Sequence, residues 1–108
     1  MDKQIPDIEF TVGKLAYLLQ KVHEINGGKY RFNVSIAAQY PLNTLIKSLA
    51  GVSRCEIKRN LWEPELSNIM NDLPADGLPE HLNLKGQEKF MLGYYQEKGT
   101  LDNILACK

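Results

Sequence analysis

Apolar positions along this chain recur at steps of three and four residues, the period of a helix. Ile8, Val12, Leu15, Leu19 and Val22 form one such stripe, widened by Leu18 and Ile25. The pattern predicts a helix from Ile8 to about Glu24, with Asp7 or Thr11 as its cap and Gly27-Gly28 as its stop. Lys14 and Lys21 stand seven apart and so share a face beside the stripe. From Lys29 to Gln39 the pattern supports two structures. Tyr30, Phe32, Val34 and Ile36 alternate with polar residues as in a strand, while Ile36, Ala37 and Tyr40 cluster as on a short helix from about Asn33 to Gln39. A lone strand has no partner elsewhere in the chain, and an unpaired strand is not stable, so a loop and a short helix are expected.

Tyr40-Pro41 opens the next element, since proline suits a first helical turn. Leu42, Leu45, Ile46 and Leu49 give it an apolar face, and Gly51 ends or loosens it. Arg54 to Leu61 is charged and continues as helix or turn. Pro64 is expected to restart a helix as a first-turn residue, with Leu66, Ile69, Met70 and Leu73 on its inner face and Trp62 just outside as a hydrophobic staple. Pro74, Gly77 and Pro79 mark a connection of about eight to ten residues. The last helix runs from Leu84 to about Lys98, capped by Asn83 and stopped by Gly99, and residues 100–108 add a turn or fray. Leu84, Met91, Tyr94 and Tyr95 are expected to face one way, with Phe90 on the flank. Gly93 costs about 1 kcal/mol against alanine in such a helix, which implies that another backbone passes close by or that a larger side chain would clash. The sum is an all-α fold, a small bundle of four main helices plus one short helix, forming a single domain over residues 1–108.

Charge changes this picture modestly. The net charge is zero, but its distribution is uneven. Residues 11–62 carry eight cations against Glu24 and Glu56, whereas residues 63–82 carry Glu63, Glu65, Asp72, Asp76 and Glu80 with no cation. The basic half presents either one positive face or a mixed surface. No apolar run reaches the ~18 residues that span a bilayer. The segment Met1–Asp7 lacks the basic-then-apolar order of a secretion signal, so a cytoplasmic location is expected. Cys55 and Cys107 are far apart, have no metal-type partner nearby and read as free thiols.

Candidate chemistry is sparse. His23 and His81 stand at no ligand spacing from carboxylates or cysteines, so no metal site is expected. No serine or cysteine sits in a recognisable nucleophile context, and no glycine-rich loop follows a strand to cradle phosphate. Glu63, Glu65 and Asp72 read as a solvated helix face rather than an acid–base pair. Tyr94, Tyr95 and Trp62 read as packing residues rather than base-stacking platforms. Neither an enzyme nor a cofactor is expected.

The run Leu82-Asn83-Leu84-Lys85-Gly86-Gln87-Glu88-Lys89-Phe90-Met91-Leu92-Gly93-Tyr94-Tyr95-Gln96 resembles the C-terminal segment of the large subunit of Cascade, the type I-C CRISPR surveillance complex. That segment closes on a similar phenylalanine-x-leucine-glycine-tyrosine-tyrosine run. Gly13-Lys14-Leu15 with Leu18-Leu19-Gln20-Lys21-Val22 is similar to the family's first helix, with Lys14 at its arginine. Asn33 to Ala38 followed by Pro41 resembles its short helix of small residues. Leu45-Ile46-Lys47-Ser48-Leu49, Glu65 to Leu73 and Leu78-Pro79-Glu80-His81-Leu82 follow in the same order. In that family the helical part is also made as a separate small subunit.

The resemblance implies a non-catalytic small subunit that lines the guide RNA–target DNA heteroduplex and holds the displaced DNA strand during R-loop formation in antiviral defence. Its implied partners are the large subunit, the backbone subunits, other copies of itself, the heteroduplex and the displaced single strand, with no membrane. Guide pairing reads the sequence in such complexes, so the protein needs only phosphate contacts from rigid helices. Lys14, Lys21, Lys47, Arg54, Lys58 and Arg59 are the candidate nucleic-acid-binding residues. The alternative is a protein-only adaptor, for instance a phage-encoded mimic that occupies the small-subunit site and blocks assembly.

Overall fold

Helix α1 (Ile8–Ile25) runs through the middle of the molecule and α5 (Leu84–Ala106) lies along it. They cross where neither carries a side chain. A Cβ on Gly13 would collide with the Phe90 carbonyl, and one on Gly93 with the Phe10 carbonyl. The cost of a mid-helix glycine at position 93 therefore has the cause expected from the sequence, a close backbone, and Gly13 is its counterpart. The computed structural model describes residues 8–27, 33–73 and 77–106.

Around this pair stand α2 (Val34–Gln39), α3 (Pro41–Val52) and α4 (Arg59–Asn71), and no strand occurs among the described residues. The fold is the expected all-α bundle of four main helices and a short one. Helix α1 is buried on nearly every side. Val12, Leu15, Ala16, Leu18, Leu19 and Val22 are fully enclosed, against α5, α3 and α4. It ends at Ile25, and Gly27 turns the chain away at a φ of 82°, which glycine adopts without steric cost. Thr11 is a buried residue inside this helix rather than its cap. Asp7, Gly28, Tyr30, Phe32, Pro74 and Cys107 lie outside the described residues.

Asn33 caps α2 as a helix needs: its side-chain oxygen accepts from the amides of Ser35 (2.8 Å) and Ile36 (3.2 Å). Pro41 opens α3, and Gly51 sits inside its last turn, where the His23 ring covers it. Residues 77–83, ahead of α5, are tied to the α2–α3 junction by Leu42 N–H to Pro79 O and Leu82 N–H to Gln39 O, each 3.0 Å. Asn83 then caps α5 through the Gly86 amide at 2.8 Å.

Two boundaries differ from the sequence expectation. Helix α4 begins at Arg59, so Pro64 lies inside it and Trp62 is an enclosed core residue of the helix, not a staple outside it. Proline is tolerated there because the carbonyl it leaves without a donor, that of Asn60, belongs to an exposed residue within reach of water. Helix α5 does not stop at Gly99 but continues to Ala106. Nothing fills the space beside Gly99, while Leu101 is fully buried and Ile104 and Leu105 pack on the core. Burial beyond the glycine outweighs its weak helix propensity. The buried face of α5 also differs: it is Gly86, Phe90, Gly93, Tyr94, Glu97 and Leu101. Phe90 is central, whereas Leu84 is 81% exposed and Tyr95 58% exposed.

Candidate nucleic-acid interface

Three helices end at one pole. His23, in the last turn of α1, has Nε2 3.2 Å from Ser48 O and its ring against Gly51 near the end of α3. Ile25 of α1 lines a cleft with Leu105 and Ala106 of α5. The cleft, of about 300 Å³, is completed by Lys21, Lys58 and Asp102. Helix C-termini carry partial negative charge, so lysines gather favourably at this pole.

Lys58 reaches the cleft because of how residues 53–58 fold. The Arg59 guanidinium donates to Cys55 O (2.9 Å) and Ser53 O (3.3 Å) and stacks on Trp62, 5.3 Å from the ring. The Trp62 indole N–H donates to Ile57 O at 2.9 Å. These bonds close the turn and place Lys58 at φ 55°, ψ 24°, a left-handed conformation that costs a non-glycine residue about 1 kcal/mol. The Lys58 carbonyl in turn accepts from the Leu61 and Trp62 amides and starts α4.

Of the six sequence candidates, Lys21 and Lys58 come together on this cleft. Arg54 is exposed in the same turn, and Lys47 is exposed on α3, one turn before Gly51. Lys47, Arg54 and Lys58 make no ion pair with a described residue, and Lys21 pairs with Glu24 at 3.5 Å. Arg59 has a different task. It also pairs with Glu63 (3.3 Å) and Glu56 (3.6 Å), so its guanidinium belongs to the turn. Lys14 lies seven residues, about 10 Å, up α1 from Lys21. Its ammonium is 5.8 Å from the Phe10 ring centre, and its charge bears on Glu97 rather than on the cleft.

Sequence reasoning did not single out Asp102, which lines the cleft, or Tyr17 and Lys98, which hold its carboxylate. The Tyr17 hydroxyl donates to Asp102 Oδ1 at 2.7 Å, and Lys98 pairs with Asp102 Oδ2 at 3.4 Å. The Tyr17 hydrogen bond, against an opposing contribution from burial and with help from Lys98 and Lys21, holds the Asp102 carboxyl below the usual range. Burial first, then the Asp102 hydrogen bond and charge, push the Tyr17 hydroxyl above its ordinary value. The Lys98–Asp102 spacing of four was readable from the sequence. The Tyr17–Asp102 bond spans 85 residues and needed the fold.

A second exposed feature lies on α5, where Leu84, Leu92 and Tyr95 face solvent beside a shallow groove of about 480 Å³ lined by Leu84, Lys85, Gln87, Glu88 and Met91. Among the described residues, no three His, Cys, Asp or Glu side chains gather as a metal site, and no helix is long and apolar enough to cross a membrane. No protein-family model and no curated protein matches the chain.

Proposed function

We propose that the chain is a non-catalytic small subunit of a type I-C-like CRISPR surveillance complex, which meets the phosphates of the heteroduplex or displaced strand through the pole that carries Lys21, Lys47, Arg54 and Lys58. The observation that carries the reading is the convergence of Lys21 and Lys58, from two separate elements, on one cleft, with Arg54 exposed in the adjoining turn. The ordered motif resemblance and the all-α fold support it. Arg59 and Lys14, engaged in the turn and against Phe10, are withdrawn from the phosphate-binding set in this reading.

The test is fluorescence anisotropy with labelled single-stranded DNA and with an RNA–DNA duplex over a salt series. Wild-type affinity falls steeply with salt. The double variant Lys21→Glu/Lys58→Glu lowers the slope of log K against log salt by about 0.7 for each single-strand phosphate that is no longer neutralised. An Arg59 variant is not used, because it would open the turn. Absence of binding even at low salt overturns the reading.

One observation favours the second reading, a protein-only adaptor or mimic of the small subunit. The exposed apolar face of α5, with a neutral net charge, suits a protein partner better than a phosphate chain. Under that reading Leu92→Glu/Tyr95→Glu abolishes association with the complex, and the lysine reversals leave it unchanged.

A further inference from the structure

Glu97, on the buried face of α5, is the most enclosed ionisable side chain among the described residues, at 0% exposed. Neither carboxylate oxygen meets a hydrogen-bond donor. After burial itself, the group that acts most on Glu97 is the carboxyl of Glu65, half-buried on α4. Two ionised carboxylates are both acceptors and repel, so that pairing is favourable only when one of them carries a proton. Lys14 on α1 is the cation whose charge bears on Glu97. Helix α2, which also packs on α5, has no titratable side chain.

We propose that Glu97 holds a proton at the α4–α5 seam, directed at the Glu65 carboxylate, and that this proton latches α4 to the α1–α5 pair, so that its loss to solvent base loosens α4. Burial first, then the Glu65 hydrogen bond and charge, against a smaller opposing pull from Lys14, push the Glu97 carboxyl up to about 9. Helix α4 is suited to respond, since it packs on α1 and α5 far less extensively than those two pack on each other. The direction of the pH effect follows from linkage. A carboxyl whose folded pKa is raised contributes stability that is full below its unfolded value, near 4.5, and is lost as pH rises through about 9.

The experiment is urea unfolding between pH 6 and 9.5, read by the emission of Trp62, the single tryptophan, which sits on α4 itself. It compares the wild type with Glu97→Gln, which keeps the shape and removes the titration. Between pH 6 and 8 the unfolding constant of the wild type rises about tenfold per pH unit more steeply than that of Glu97→Gln. Lys14→Ala moves the wild-type transition to higher pH, because the opposing cation is gone. If Glu97→Gln does not fold, the Glu97 carboxyl carbon is followed in isotope-labelled wild-type protein by NMR. A midpoint well above 7 supports the latch. Parallel pH profiles of wild type and Glu97→Gln, or a Glu97 carboxyl that titrates in the ordinary carboxylate range, overturn it.

Discussion

The α1–α5 crossing and the seat of α4 are held together by different means. At the crossing, backbone meets backbone: Gly13 faces the Phe90 carbonyl and Gly93 the Phe10 carbonyl, and neither position has room for one more carbon. A rigid joint of this kind has little tolerance, because protein interiors are already packed like crystals. Helix α4 instead sits on side chains. Trp62 and Ile69 fill its core face, Arg59 and the Trp62 indole hold the turn before it, and the Glu65 carboxyl acts on Glu97. Side chains can repack and carboxyls can titrate, so this seat is adjustable where the crossing is not. The lesson is that sterics fix the central pair, while chemistry sets how firmly the outer helix attaches.

The largest effect is expected at the crossing. Gly93→Ala or Gly13→Ala drives a methyl into a main-chain carbonyl that cannot rotate away, and each costs about 3 kcal/mol, a large fraction of a small domain's stability. Urea titration followed by circular dichroism measures this. A loss below about 1 kcal/mol would mean the crossing slides apart easily, and the contrast with α4 would collapse.

At the seat of α4, Trp62→Phe should cost less, about 2 kcal/mol. It removes the indole hydrogen bond to Ile57 O and weakens the stacking of Arg59, but keeps most of the buried ring. The same change frees the turn that sets Lys58, so it should also weaken any salt-dependent DNA binding without removing a cation. Equal stability losses for Trp62→Phe and Gly93→Ala would show that the two regions are equally rigid.

Smaller still is the tie that holds Asp102 beside the cleft. Tyr17→Phe deletes the hydrogen bond to Asp102 and costs about 1 kcal/mol at neutral pH. Because Asp102 is held below its ordinary value, its contribution is present above pH 3.8 and is lost as the pH falls below it. The gap between wild type and Tyr17→Phe therefore narrows in acid, which unfolding curves at pH 7 and pH 3 would resolve.

What could be read from the sequence follows the same division. Local signals were legible: the Asn33 and Asn83 caps, the Pro41 start, the missing partner for a strand near Val34, and the cost of Gly93, which pointed to a neighbouring backbone or a steric clash. Signals that depend on what another element does were not. Pro64 reads as a helix start until Asn60 is known to face solvent, and Gly99 reads as a stop until Leu101 is known to be enclosed. The six candidate cations look alike in sequence. Only the folded turn separates Arg59, whose guanidinium holds the carbonyls of Ser53 and Cys55, from Lys58, which the same turn carries into the cleft. Glu97 gave no sign at all, because its partner Glu65 lies on another helix and reads as part of a solvated acidic face.

The smallest predicted effect isolates propensity from packing. Gly99 lies in the same helix as Gly93 but faces open space, with nothing within 4 Å of where a Cβ would stand. It has no positive φ to accommodate, so alanine meets no strain there. Gly99→Ala should stabilise the protein by about 0.8 kcal/mol, the helix-propensity difference alone, visible as a small upward shift in thermal midpoint. Two identical substitutions six residues apart on α5 would then have opposite signs. A destabilising Gly99→Ala would instead mark a helix stop at Gly99, since alanine is unfavourable at a stop that needs the left-handed conformation and favourable within an unbroken helix such as Leu84–Ala106.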